Sequence, residues 1–190
     1  STVDDALGEA FDKVARLRGL PHPGGPEVSR LARVARKDPT ERISERASIK
    51  LPRPMIGSDN YNFSFSGIKT AVLYLIKKLG DLDDQTKKDI ALEFETAVTE
   101  VLVKKTKNAI EEFGVETLII GGGVSANGYI KSEMKKMIEE NFPNITLHVP
   151  DQHLSGDNSI MIGIAGYFEI ASGKEFPLLE SIKANSNWSL

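Results

Sequence analysis

Three consecutive glycines, Gly121, Gly122 and Gly123, follow the apolar run 118–120, and a helical pattern opens directly after them in "GGGVSANGYIKSEMKKMIEE". Bare backbone lets a ligand approach closely, and a helix start offers N–H groups to an anion. In open α/β sheets, ligands collect outside the carboxyl ends of strands. The chemistry read from this stretch is therefore a nucleotide or phosphate contact. A tight turn requiring positive φ accounts for the same glycines. Asn127 falls in the first turn of the expected helix, where its carboxamide could meet a ribose or a base, or simply cap the helix. "GGGVSA" also fits G-x-G-x-x-A, but a dinucleotide turn asks for an acid about 20 residues on. The acid in that structural place, Asp151, lies thirty residues on, so the dinucleotide match is weak.

Two serines, Ser64 and Ser66 in "FSFSGIKTAV", have the type of a hydrolase nucleophile. Such a nucleophile needs a base, and His22, His148 and His153 all lie far away in sequence. No G-x-S-x-G turn is present either, which disfavours a peptidase.

The elements that must position these residues alternate between helix and strand. A helix is expected over 3–18, with Leu7, Ala10, Phe11, Val14 and Leu17 as its inner stripe and Gly19 as its stop. Thr2 and Asp5 have capping-box spacing. "PHPGGP" (21–26) reads as a loop and 26–37 as a second helix with Pro26 in its first turn. Residues 38–60 carry Pro39, Pro52, Pro54 and Gly57 and read as an irregular excursion. A short alternating piece, Phe63 to Ser66, turns into a helix near Gly67. The strongest helical period covers 84–113 and stops at Gly114. Strand 116–120, helix 125–141 and strand 145–149 follow, then an apolar helix over 158–172 and one more short helix in the tail. Strands joined by one helix pair in parallel, with a right-handed crossover. The fold class is α/β and helix-rich.

The chain's 190 residues, 40% of them hydrophobic, suffice for a real core. A net charge of −3 excludes a general polycation, and the absence of cysteine excludes disulfides and thiolate metal sites. No apolar stretch approaches the roughly 18–20 residues of a membrane span. A cytoplasmic location without membrane partners is the expectation.

Four segments in order, "DDALGEAFDKVARLRGLPHPGGP", "FSFSGIKTAV", "GGGVSANGYI" and "SGDNSIMIGIAG", resemble the tRNA threonylcarbamoyladenosine transferases, formerly labelled glycoproteases. "GEAFDK" and "FSFSGIKTAV" are most similar to the bacterial branch, and the resemblance spans nearly the whole chain. It implies the actin-like, sugar-kinase ATPase fold, with two α/β lobes around a nucleotide cleft. It implies transfer of a threonylcarbamoyl group from threonylcarbamoyl-adenylate to the N6 amine of the adenosine beside the anticodon. It places nucleotide contacts at Asp12, Gly25 and Asn127, beside the backbone of Gly122 and Gly123, and a metal-ligating carboxylate at Asp157. The metal would be iron, zinc or magnesium, with iron favoured by the resemblance. The implied partners are tRNA, a paralogous subunit of the same fold and a small ATPase.

Each implied residue also has a plainer reading. Asp5, Glu9 and Asp12, at i, i+4 and i+7, form an acidic helix face that is solvated by default. Gly25 serves a simple turn, and Asp157 an N-cap. The family's H-x-x-x-H metal pair and its serine–glycine–glycine–histidine phosphate loop do not occur in these residues. By the resemblance, residues 1–190 are most of a C-terminal lobe without its N-terminal partner, expected to be inactive alone and to hold little metal.

Residues 30–53 contain eight basic and three acidic side chains, a local balance of +5 in an acidic chain. Such a patch suits phosphate contacts, with Arg33, Arg36 and Arg42 as candidate tRNA contacts, or it is a solvated, salt-bridged face. Two other functions fit the implied fold: a small-molecule kinase or ATPase, and a non-catalytic interaction module.

Overall fold

The computed structural model describes residues 2–17, 19–37, 49–156, 158–175, 179–181 and 183. The sequence divides into two compact units, 1–155 and 156–190. Asp157, Arg42 and the first part of the excursion, 38–48, lie outside the described residues.

The first unit is built around one long helix. The apolar residues Ile90, Phe94, Ala97, Val98 and Val101 keep helical spacing and are all at most 1% exposed. They line helix α4, Asp84–Phe113, which at 1.5 Å per residue is about 45 Å long. Its start is set by Asp83, whose carboxylate accepts from the Thr86 N–H at 2.7 Å. Its end is set by Gly114, whose N–H reaches the Ile110 carbonyl at 2.9 Å.

Three shorter helices precede it: α1 (Leu7–Leu17), α2 (Gly24–Lys37) and α3 (Ser66–Leu79). Helix α2 makes the most extensive packing on α4, and α1 lies against α2. Phe11 of α1 meets Phe94 edge-on, with ring centroids 4.9 Å apart. Strand β1 (Thr117–Ile119) and strand β2 (Thr146–His148) pair in parallel, with Leu118 opposite Leu147. Helix α5 (Gly128–Asn141) is the crossover between them and gives Ile130, Met134, Met137 and Ile138 to the same core. The second unit contains helix α6 (Ser159–Ala171) and a 3-10 turn at Leu179–Ser181. In α6, Ile160, Met161, Ile162, Ile164, Tyr167, Phe168 and Ile170 are each more than half exposed.

The expected helix over 3–18 begins four residues late, and the capping box does not form. The reason is tertiary. Asp4 lies beside the α3 N-terminus and accepts from the hydroxyls of Ser64 (2.5 Å) and Ser66 (2.6 Å) and from the amides of Phe65 (2.8 Å) and Ser66 (3.2 Å). The two serines of "FSFSG" thus hold a carboxylate. Thr2 bridges to Phe63, which is all that the alternating piece 63–66 contributes to strand pairing.

Burial pushes the Asp4 carboxyl up, but these four hydrogen bonds outweigh it and hold its pKa at about 2, below the ordinary 3.8. A depressed carboxyl contributes stability above pH 3.8 and loses it as pH falls through about 2. Asp4→Asn is therefore expected to flatten the acid limb of the melting-temperature profile in that window. An unchanged profile between wild type and variant contradicts the assignment.

The later part of the excursion is tied down by charge. Arg53 donates to Glu93 and to Glu100 (2.6 Å), both on α4, and to the Leu51 carbonyl at 2.7 Å. Lys105, 2% exposed, donates to Ser58 Oγ at 2.8 Å and to the Asn60 carbonyl at 2.6 Å.

Candidate functional site

The acidic stripe read from Asp5, Glu9 and Asp12 separates into two groups. Asp5 precedes α1 and, with Glu9, is neutralised by Lys13, at 2.7 Å and 2.5 Å respectively. Asp12 turns the other way. Its Oδ1 accepts from the Gly24 N–H at 2.7 Å and the Gly25 N–H at 3.3 Å. Its Oδ2 lies 3.9 Å from His22 Nδ1. A carboxylate at these first amides of α2 satisfies donors that the helix cannot use itself, and is favoured by the helix dipole. That tether is why α2 begins at Gly24 rather than at Pro26.

Gly24 is also a packing requirement. A Cβ there would lie 2.3 Å from the Ala15 Cβ and 3.0 Å from the Asp12 Cα, so only glycine lets α2 start this close to α1. Gly25 has no such neighbour; the nearest atom to a Cβ would be 3.9 Å away, on Phe11.

The glycine turn forms the second half of the site. Gly121, Gly122 and Gly123 are exposed, and a Cβ on any of them would meet nothing within 4 Å. Packing therefore demands none of them. Gly122 alone has a positive φ, +82°, which a side chain would strain. Residues Gly123–Ala126 make a 3-10 turn, and α5 starts only after it. This alters the expectation of an open helix N-terminus directly behind the glycines. Asn127, expected inside the first helical turn, is the residue before α5, and its Oδ1 accepts from the amides of Tyr129 (2.9 Å) and Ile130 (3.0 Å).

The rest of the Asn127 carboxamide joins the two halves. Its Nδ2 donates to Ser29 Oγ at 2.8 Å and to Glu95 Oε1 at 2.9 Å. Ser29 stands one turn after Gly25 on α2. Glu95, on α4, is 1% exposed, and its other oxygen accepts from Arg36 Nη1 at 3.0 Å. The Arg36 guanidinium also lies over the Tyr129 ring, 3.5 Å from its centroid. At the front of α1, a Cβ on Gly8 would be 3.7 Å from Val124 of the glycine turn. Asp12, Gly25 and Asn127, far apart in sequence, thus belong to one connected wall. Gly122 and Gly123 lead into it.

Sequence reasoning missed Ser29 and Glu95. The available signal was Glu95 itself, a carboxylate flanked on either side along the helix by Ala91 and Thr99, both buried. Of the candidate basic residues, Arg36 is engaged with Glu95, whereas Arg33 is exposed with no ion pair among the described residues. Two hollows, of about 530 Å³ beside Ile138, Ile145 and Leu147 and about 520 Å³ beside Ser58, Asn60 and Asn108, include none of the wall residues. Among the described residues no three His, Asp or Glu side chains gather as metal ligands.

The unit is thus helix-rich α/β, with an exposed glycine turn at the carboxyl end of a parallel strand, joined to a carboxylate-tethered glycine loop. The family model of tRNA N6-adenosine threonylcarbamoyltransferase matches residues 1–164, and the chain belongs to that family. It is 46% identical over 166 residues to the tRNA N6-adenosine threonylcarbamoyltransferase of Thermosipho africanus, covering 87% of this chain and 47% of that protein. It is 47% identical over 167 residues to that of Symbiobacterium thermophilum, with 88% and 46% covered. Against that of Geobacter sulfurreducens it is 40% identical over 189 residues, with 100% and 52% covered. The chain spans about half the length of the curated relatives it matches. No described helix is long and apolar enough to cross a membrane.

Proposed function

We propose that this chain forms one wall of the nucleotide cleft in a tRNA N6-adenosine threonylcarbamoyltransferase, within the actin-like, two-lobed fold that the resemblance implies. The observation that carries the reading is the hydrogen-bonded convergence of Asp12, Gly24, Gly25, Ser29 and Asn127 beside an exposed glycine turn. In this wall, Asp12 fixes the α2 loop with Oδ1 and offers Oδ2 to a ribose hydroxyl. Gly25, Gly122 and Gly123 bring backbone against the flat and anionic parts of an adenylate, and Asn127 sets the edge between them. These residues bind and orient the threonylcarbamoyl-adenylate, so that its carbonyl faces the incoming N6 amine of the tRNA adenosine. A divalent metal, iron by the resemblance, would reach this chain through Asp157. A paralogous subunit and a small ATPase are the partners that the resemblance implies.

The test is transfer of a threonylcarbamoyl group to tRNA by the polypeptide that carries this chain, at its natural length and with its partner proteins. ATP-dependent phosphorylation of small molecules without any tRNA modification would favour the kinase reading instead.

Arg33 and the neighbouring exposed Lys37 are the side chains of the basic patch that would meet tRNA phosphates. Replacing both with alanine should weaken tRNA binding uniformly across sequences. It should also reduce the slope of log affinity against log salt by about 2, roughly one per lost phosphate contact. An unchanged slope would assign the patch to solvation. Arg36 is unsuitable for this test, because its loss strands a buried carboxylate.

A further inference from the structure

The Asn127 carboxamide uses its whole hydrogen-bonding capacity inside the protein. Its oxygen accepts two amides of α5, and its nitrogen donates to Ser29 and Glu95. A terminal amide can rotate and can be read in either sense, so its direction must be set by what surrounds it. Here the setting is unambiguous, because a carboxylate can only accept from Nδ2.

Glu95 is not on the wall. It projects from the central helix behind it, and its two oxygens are divided between Asn127 and Arg36. Arg36 is held in turn by Tyr129, the second residue of α5. One buried carboxylate therefore links the far end of α2 to the start of α5. Ser29 links the near end of α2 to the same carboxamide. The spacing between the Gly25 loop and the glycine turn depends on these two contacts.

We propose that Glu95 and Ser29 are positioning residues for the nucleotide site: they fix the orientation of the Asn127 carboxamide and the separation of the two glycine segments, without themselves taking part in transfer. The proposal rests on the reading of the Gly25 loop and the glycine turn as the nucleotide wall, with Asn127 as the internal tie between them. It extends that reading to a buried charge that no part of the wall exposes.

Glu95→Gln is the informative change, being isosteric with glutamate. Both partners of the carboxylate are donors, so the new amide must present its own N–H₂ to Asn127 or to Arg36. The experiment measures the affinity for a non-hydrolysable ATP analogue by calorimetry. It uses the natural-length protein below the melting temperature of every variant. Glu95→Gln is expected to weaken the analogue about tenfold or more, and Asn127→Ala to weaken it at least as much. The double variant should be no weaker than Asn127→Ala alone, since one residue acts through the other.

Should Glu95→Gln not fold, Ser29→Ala carries the same test. That half-exposed position tolerates alanine, a loss of about three- to tenfold is expected, and the loss should again vanish in the Asn127→Ala background. If Asn127→Ala loses the analogue while Glu95→Gln and Ser29→Ala bind within twofold of wild type, the site reading stands and the positioning role is overturned. Losses that multiply in the double variants also overturn it, because they mark independent structural damage. If Asn127→Ala binds as wild type does, the positioning role fails; if the wild-type protein itself does not bind the analogue, the site reading fails and the positioning role with it.

Discussion

Phe94→Ala is expected to destabilise the first unit by about 3–5 kcal/mol, a large share of the roughly 5–15 kcal/mol that holds a typical domain together. Phe94 is fully buried and, among the described residues, is the largest of the fully buried side chains. It packs edge-on against Phe11 and lies in the one cluster that α1, α2, α3, α4 and α5 all share. Removing the ring leaves a cavity bounded by helices that cannot collapse into it, because α1 and α2 are already in close contact at Gly24. The neighbouring residue is Glu95, so the damage would also reach the wall. Urea unfolding should place the midpoint at least about 1 M lower. A shift below a few tenths of a molar would mean that α1 does not rest on α4 as described.

Gly24→Ala should be comparably severe although it adds a single methyl group. Its Cβ would lie 2.3 Å from the Ala15 Cβ, and the other close atoms belong to Asp12, one of them backbone. No flexible side chain end is available to move aside, so α2 must shift away from α1. Overpacking of this kind costs about 1–3 kcal/mol and sometimes more. The same movement would break the Asp12 hydrogen bonds to the Gly24 and Gly25 amides. Stability and nucleotide affinity should therefore fall together. Gly25→Ala is the control, since a Cβ there finds open space apart from Phe11 at 3.9 Å. It should leave the melting temperature nearly unchanged while reducing affinity. Equal stability of Gly24→Ala and wild type would contradict the close helix contact.

Much of this was legible in the sequence wherever local signals and tertiary structure agree. The helix over 84–113 matches its expected bounds, because an apolar period and a terminating glycine coincide there, and the structure adds Asp83 as its N-cap. The parallel pairing of the two strands followed from the single helix between them. The start of α1 differs from the expectation, since Asp5 of the expected Thr2/Asp5 capping box is bound to Lys13, and Asp4 beside it to Ser64 and Ser66. The start of α2 was misread because the carboxylate that sets it, Asp12, comes from another helix. Of the two readings that Asn127 offers, ligand contact and cap, the cap forms, its Oδ1 accepting from the Tyr129 and Ile130 amides. The position of Glu95 among buried neighbours left a signal, but its role did not, for a physical reason. A charged residue on a helix reads as solvated unless its partners are known, and Arg36 and Asn127 come from elements remote in sequence.

In the proposed function, the Gly24–Gly25 loop and the glycine turn form one nucleotide-binding wall. The most direct measurement is photocrosslinking of 8-azido-ATP to the natural-length protein, with the modified peptides identified by mass spectrometry. Adducts should concentrate within residues 21–29 and 121–127, and should be lost together in Gly24→Ala. Adducts lying only outside both segments, or persisting unchanged in that variant, would contradict it.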